Sequence, residues 1–124
     1  VELVPLAAAG RQPIERYGPG GFRIGGTIYR GPLLVFPDRT MIWSATSIAA
    51  VTPESLRPVI EHGAIQILLI GLGRRFDQLP SALRSALRRA GIAVEAMDTG
   101  AACRTYNVLL AEDRQVAAAL LPPS

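Results

Sequence analysis

The chain has 124 residues, of which 49% are hydrophobic and 19% charged. That is one domain's length, and folding should bury roughly two-thirds of the surface the unfolded chain exposes, so neither a disulfide nor a metal is needed to hold it together. Thirteen basic residues against ten acidic ones give +3, too modest for a dedicated nucleic-acid binder, and no apolar run approaches the ~20 residues that span a bilayer, which argues against an integral membrane protein.

Every basic residue is arginine. The single cysteine, Cys103, and single histidine, His62, exclude an internal disulfide and a Cys/His metal cluster. A lone thiol fits a reducing compartment, so the expected location is cytoplasmic. Residues 1–12 read as a tail interrupted by Pro5 and lacking the basic region of a signal peptide. A single globular domain is expected over 13–124.

The first third reads as a β-meander. Residues 13–17 suggest a short strand, and Gly18-Pro19-Gly20-Gly21 is a turn. Strands are expected over 22–24 and 27–29, joined by a tight turn at Gly25-Gly26, where glycine accepts positive φ. Gly31-Pro32 breaks the pattern. The apolar run 33–36 predicts a more buried strand, followed by a turn at Pro37-Asp38-Arg39 and a strand over 40–43. Tyr29 and Trp43 are either core residues or an aromatic patch for a partner.

After about residue 52 the pattern changes to alternating helices and strands. Thr52-Pro53-Glu54 is a helix start, and Pro58 predicts a short or kinked helix ending near Gly63. His62 is then a residue of the helix end, not a catalyst. Residues 64–70 form a strand buried on both faces, closed by Gly71-Leu72-Gly73. Leu79, Leu83 and Leu87 recur every four residues and predict a helix over 80–90, stopped by Gly91. A strand over 92–97, a helix over 99–112 and a last strand over 115–121 complete the order. Asp98 or Thr99 caps the third helix, whose apolar face is Ala102, Cys103, Tyr106, Leu109 and Leu110. The fold class is therefore α/β: a three-layer single domain, with a central mixed sheet, helices, and an added N-terminal β-hairpin layer.

Ligands of open α/β sheets bind beyond the carboxyl ends of the strands. Two loops hold that position here: Gly71 to Arg75, and Asp98 to Arg104. If their strands are parallel neighbours the loops meet. Two arginines, a helix N-terminus, a carboxylate and a thiol would then share one crevice, a natural anion site. Duller readings stand beside this one. Gly71 and Gly73 lack the third glycine of a dinucleotide fingerprint. Asp98 is what a helix start needs anyway. Cys103 has no histidine nearby in sequence to act as its base. Arg104 is expected to pair with an acid and Asn107 with a loop carbonyl, with a ligand or partner contact as the alternative. Arg84, Arg88 and Arg89 read as a solvated face.

Several runs carry a family resemblance. They are Tyr17-Gly18 with Gly20-Gly21-Phe22-Arg23-Ile24, then Gly31 to Pro37 and Trp43, then Leu68 to Gly73 and Leu79-Pro80. The most specific is Glu95 to Thr99 with Ala101-Ala102-Cys103-Arg104-Thr105-Tyr106-Asn107-Val108-Leu109-Leu110. Together they resemble the domains of unknown function that include the mitochondrial respiratory complex I (NADH dehydrogenase) assembly factor 3 and its bacterial and archaeal relatives. The resemblance covers nearly the whole chain from Pro13. It implies a three-layer α/β domain, no established catalytic set and no cofactor or metal. It also implies protein partners, namely membrane-complex subunits or another assembly factor.

The positions carried over as a candidate ligand or partner surface are Gly71, Gly73, Asp98, Arg104, Tyr106 and Asn107, to which the crevice adds Cys103. The expected function is a non-enzymatic interaction module that assists assembly of a membrane respiratory complex. The alternative is a small-molecule or anion-binding domain, conceivably an enzyme, using the crevice between loops 71–75 and 98–107.

Overall fold

Glycine and proline set the first three strands. The computed structural model describes residues 11–75 and 77–123. In it β1 (Ile14–Gly18), β2 (Gly21–Ile24) and β3 (Thr27–Arg30) form an antiparallel sheet in that order. Pro19-Gly20 turns the chain between the first two, with Gly20 at φ +81. Gly25 and Gly26, at φ +58 and +82, supply two successive left-handed residues, the backbone a two-residue hairpin turn demands. Of the tail expected over 1–12, residues 1–10 lie outside the described residues. Arg11 is held: it donates to the Leu110 carbonyl at 3.1 Å and pairs with Asp113.

The meander does not run on. β4 (Leu33–Val35) and β5 (Thr40–Ile42) belong to a second sheet with β6 (Ile67–Leu72), β7 (Ala93–Met97) and β8 (Val116–Leu121), in the order β5-β4-β8-β6-β7. Gly31 at φ +83 and Pro32, which has no N–H, end the first ladder. β4 then pairs antiparallel with β8, Leu33 opposite Leu120. β6 runs parallel to both β7 and β8, so this sheet is mixed.

Alternation along the buried strands sorts their side chains into two cores. Leu34, Phe36, Leu68, Ile70, Leu72, Ala117 and Ala119 face one side, joined by Trp43, Leu56, Leu83 and Leu87. Leu33, Val35, Leu69, Val116, Ala118 and Leu120 face the other, joined by Ile14, Phe22, Ile24 and the third helix. The first side is covered by α1 (Arg57–His62) and α2 (Ser81–Arg89), the second by α3 (Thr99–Ala111) and the three-stranded sheet. Three layers result. Trp43 is core: it is 2% exposed and its indole N–H donates to the Ser55 carbonyl at 2.9 Å. Tyr29 is half-buried against the second core.

The first helix is short and ends near Gly63, as expected, but its start needs adjusting. Thr52 and Ser55 exchange side-chain and main-chain hydrogen bonds, Thr52 N to Ser55 Oγ at 3.0 Å and Ser55 N to Thr52 Oγ1 at 3.1 Å. They pin a turn, and the helix proper begins only at Arg57. Pro58 therefore lies in the first helical turn, where its missing N–H has no partner to lose, and no kink is needed. His62 is the last residue, and Gly63 ends the helix in the left-handed region at φ +83. The strand expected over 64–70 lies later, at Ile67–Leu72, because Gly71 and Leu72 continue the ladder against Leu120 and Leu121. α2 is as expected, with Leu83 and Leu87 buried, each worth about 2 kcal/mol of apolar burial.

Candidate functional site

The two candidate loops do meet, because β6 and β7 are parallel neighbours, with Gly71 opposite Met97. What joins them is Thr99. Its N–H donates to the Gly73 carbonyl at 2.8 Å, and its Oγ1 accepts from the Gly73 N–H at 2.8 Å. The same hydroxyl donates to the Leu121 carbonyl at 2.5 Å. One fully buried threonine thus ties together the carboxyl ends of β6, β7 and β8.

Gly71 makes room for it. A Cβ there would lie 3.0 Å from the Thr99 Cα, the Thr99 Oγ1 and a Leu120 methyl. Gly73 sits at φ +73. Asp98 is the cap of α3, with Oδ1 accepting from Ala101 N–H at 2.9 Å. The helix N-terminus therefore already carries its own carboxylate. Arg75 stands 3.8 Å from Asp77, whereas Arg74 has no ion-pair partner among the described residues. A shallow depression of about 380 Å³ remains, bordered by Gly18, Pro19, Gly73, Arg74, Asp98 and Gly100. Of the seven expected site residues, Gly73 and Asp98 line it.

The other expected residues point elsewhere. Cys103 is completely buried in the second core, and burial pushes its thiol up to about 12, outweighing the neighbouring Arg104 guanidinium. At neutral pH it is a packed, protonated side chain, remote in character from a nucleophilic thiolate. Arg104 has no acidic partner among the described residues: its Nη1 donates to the Tyr17 hydroxyl at 3.0 Å. Gly100 permits that contact, since a Cβ would fall 2.7 Å from the Tyr17 oxygen. Asn107 accepts from the Ile14 N–H at 2.9 Å and donates to the Ile14 carbonyl at 2.8 Å. Its side-chain amide stands in for one residue of an adjoining strand and fastens β1 to α3.

Tyr106 is fully buried, and its hydroxyl has no hydrogen-bond partner among the described residues. Burial raises that phenol above its ordinary value. An unpaired buried hydroxyl costs stability, so Tyr106→Phe is expected to leave the protein unchanged or up to about 1 kcal/mol more stable. A urea melt checks this; a clear loss would mean that the hydroxyl is engaged.

Sequence reasoning missed the three residues that organise this region. Thr99 is visible as an alternative cap, but its three long-range bonds are not. Tyr17 lies in a motif run and Gly100 in the second candidate loop, yet nothing local announces that they touch. Among the described residues no group of His, Cys, Asp and Glu is placed to hold a metal ion, and no helix is long and apolar enough to cross a membrane.

The architecture defines a three-layer α/β domain whose strand-end loops are stapled to one another by their own polar groups. The chain belongs to the family described as Protein of unknown function (DUF498/DUF598), which matches residues 14–121. It is 43% identical to an uncharacterized protein of Rhodobacter capsulatus, over 92% of this chain and 87% of that one. It is 36% identical to NADH dehydrogenase [ubiquinone] 1 alpha subcomplex assembly factor 3 of Danio rerio, over 99% of this chain and 71% of that protein. Among solved structures, it resembles one described as an outer membrane protein from Bartonella henselae. That match has a TM-score of 0.82 and 42% identity, covering 91% of this chain and 96% of the other.

Proposed function

We propose that this domain works as a non-enzymatic interaction module that assists assembly of a membrane respiratory complex, in the cytoplasm, through protein partners. The observation that carries this reading is the 36% identity, spanning 99% of the chain, to a protein named as a complex I assembly factor. The geometry supports it in one respect. Asp98, Thr99, Arg104 and Asn107 direct polar groups to the chain's own backbone and to Tyr17. The polar residues of the family motif are thus engaged in holding the fold in shape, which favours a binding scaffold over a reaction site.

The test is purification of the tagged protein from its own cells in mild detergent, with identification of what accompanies it by mass spectrometry. Specific recovery of NADH dehydrogenase subunits or membrane-insertion factors is expected. Recovery from the soluble fraction, released from membranes by salt, is expected too. A protein that comes away without such subunits would overturn the assembly reading, and stabilisation by a metabolite or an anion in a thermal-shift screen would then favour a ligand-binding role.

A further inference from the structure

The outer face of the three-stranded sheet gathers three arginines, of which only Arg23 has an acidic partner among the described residues. Pair register puts six residues on that face. Arg16 lies opposite Arg23, Arg23 opposite Ile28, Gly21 opposite Arg30, and Gly18 opposite Gly21. Phe22 and Tyr29, paired with each other, turn to the opposite face, toward the core. The two glycines leave the floor of the face without side chains. The arginines and Ile28 stand around it, enclosing a hollow of about 460 Å³.

Two features of this face work against the isolated domain. A cross-strand pair of like charges is destabilising, and Arg16 and Arg23 are such a pair. Arg16 and Arg30 have no ion pair among the described residues; Arg23 has Glu15 at 3.7 Å, whose carboxylate also accepts from Gly26 N–H. In addition, Ile28 is 69% exposed on the edge strand β3, opposite Arg23 and two positions from Arg30. An apolar anchor beside guanidiniums is the composition of a protein interface, where arginine is enriched and pairs carboxylates through a two-pronged fork.

We propose that this face docks an acidic, extended segment of a protein partner, with aspartates or glutamates flanking an apolar side chain that covers Ile28. The proposal rests on the interaction-module reading and specifies its partner chemistry. A nucleic acid fits less well, because sheet surfaces that bind single strands present aromatic rings outward, and the rings of Tyr17, Phe22 and Tyr29 all face inward. A membrane surface fits less well too, because one isoleucine with three arginines supplies little of the apolar insertion that stable anchoring needs.

The test uses the whole chain and fluorescence anisotropy with a synthetic peptide of alternating Asp and Leu, against the same peptide with Asn for Asp. The wild type is expected to prefer the acidic peptide by about tenfold, with the preference shrinking as salt rises. Arg16→Gln, Arg23→Gln and Arg30→Gln combined should abolish the preference, while thermal stability holds or rises as the like-charge pair disappears. Equal binding of the two peptides, or a preference that survives the triple substitution, overturns the proposal. So does the lack of any such preference where anionic vesicles or single-stranded RNA bind through the same arginines. Repeating the co-purification with the triple variant separates the two readings. Respiratory subunits retained by the variant would sink the docking face and leave the assembly role standing. A peptide preference without any respiratory subunits on the wild type would do the reverse.

Discussion

Replacing Asn107 by leucine lowers the unfolding free energy by about 2–4 kcal/mol, because two buried main-chain groups of Ile14 lose their partners together. Ile14 is wholly buried, and its N–H and carbonyl both end on the Asn107 amide. Leucine matches the size but offers neither a donor nor an acceptor. Water cannot replace them without opening the seam between β1 and α3. Asn107→Asp is expected to do no better, since it keeps an acceptor for the N–H but sets a second oxygen against the Ile14 carbonyl. Urea denaturation measures the loss, and amide exchange at Ile14 locates it. A change below about 0.5 kcal/mol with exchange unaltered would show that the seam does not depend on this side chain.

Thr99→Val should cost about 2–3 kcal/mol, although the two side chains have nearly the same shape. The loss is chemical: the Gly73 N–H and the Leu121 carbonyl are left facing a methyl group in a closed site. Thr99→Ser separates hydrogen bonding from packing. It keeps the hydroxyl and drops one methyl, so about 1 kcal/mol is expected. A loss for valine no larger than that for serine would mean that the hydroxyl is not what holds the strand ends together.

These two side chains also mark where sequence reasoning stops. Local grammar identified α2 from the spacing of Leu79, Leu83 and Leu87, and the β2–β3 turn from Gly25-Gly26. It placed the two loops together, because a strand–helix–strand unit makes its strands parallel neighbours. It did not separate β4 from the first three strands. Adjacent short strands read alike whether or not they share a sheet, and the pairing of Leu33 with Leu120 spans most of the chain. It expected Arg104 to find an acid, where the structure gives it the Tyr17 hydroxyl. Asn107 looked like a polar residue in need of a purpose, and its purpose lay ninety-three positions away. Periodicity reports which face is buried; it says nothing about which distant backbone arrives there.

The position of β8 has a consequence for how the protein is made. This strand sits between β4 and β6, with every residue buried, yet it follows every other described element in sequence. Neither half of the main sheet can join the other until residues 116–121 have left the ribosome. During synthesis β4 and β6 each present an open edge. The first hairpins likewise wait for α3 to arrive over them. Folding of the main sheet is therefore a collective event that waits for β8, because strands far apart in the chain must meet.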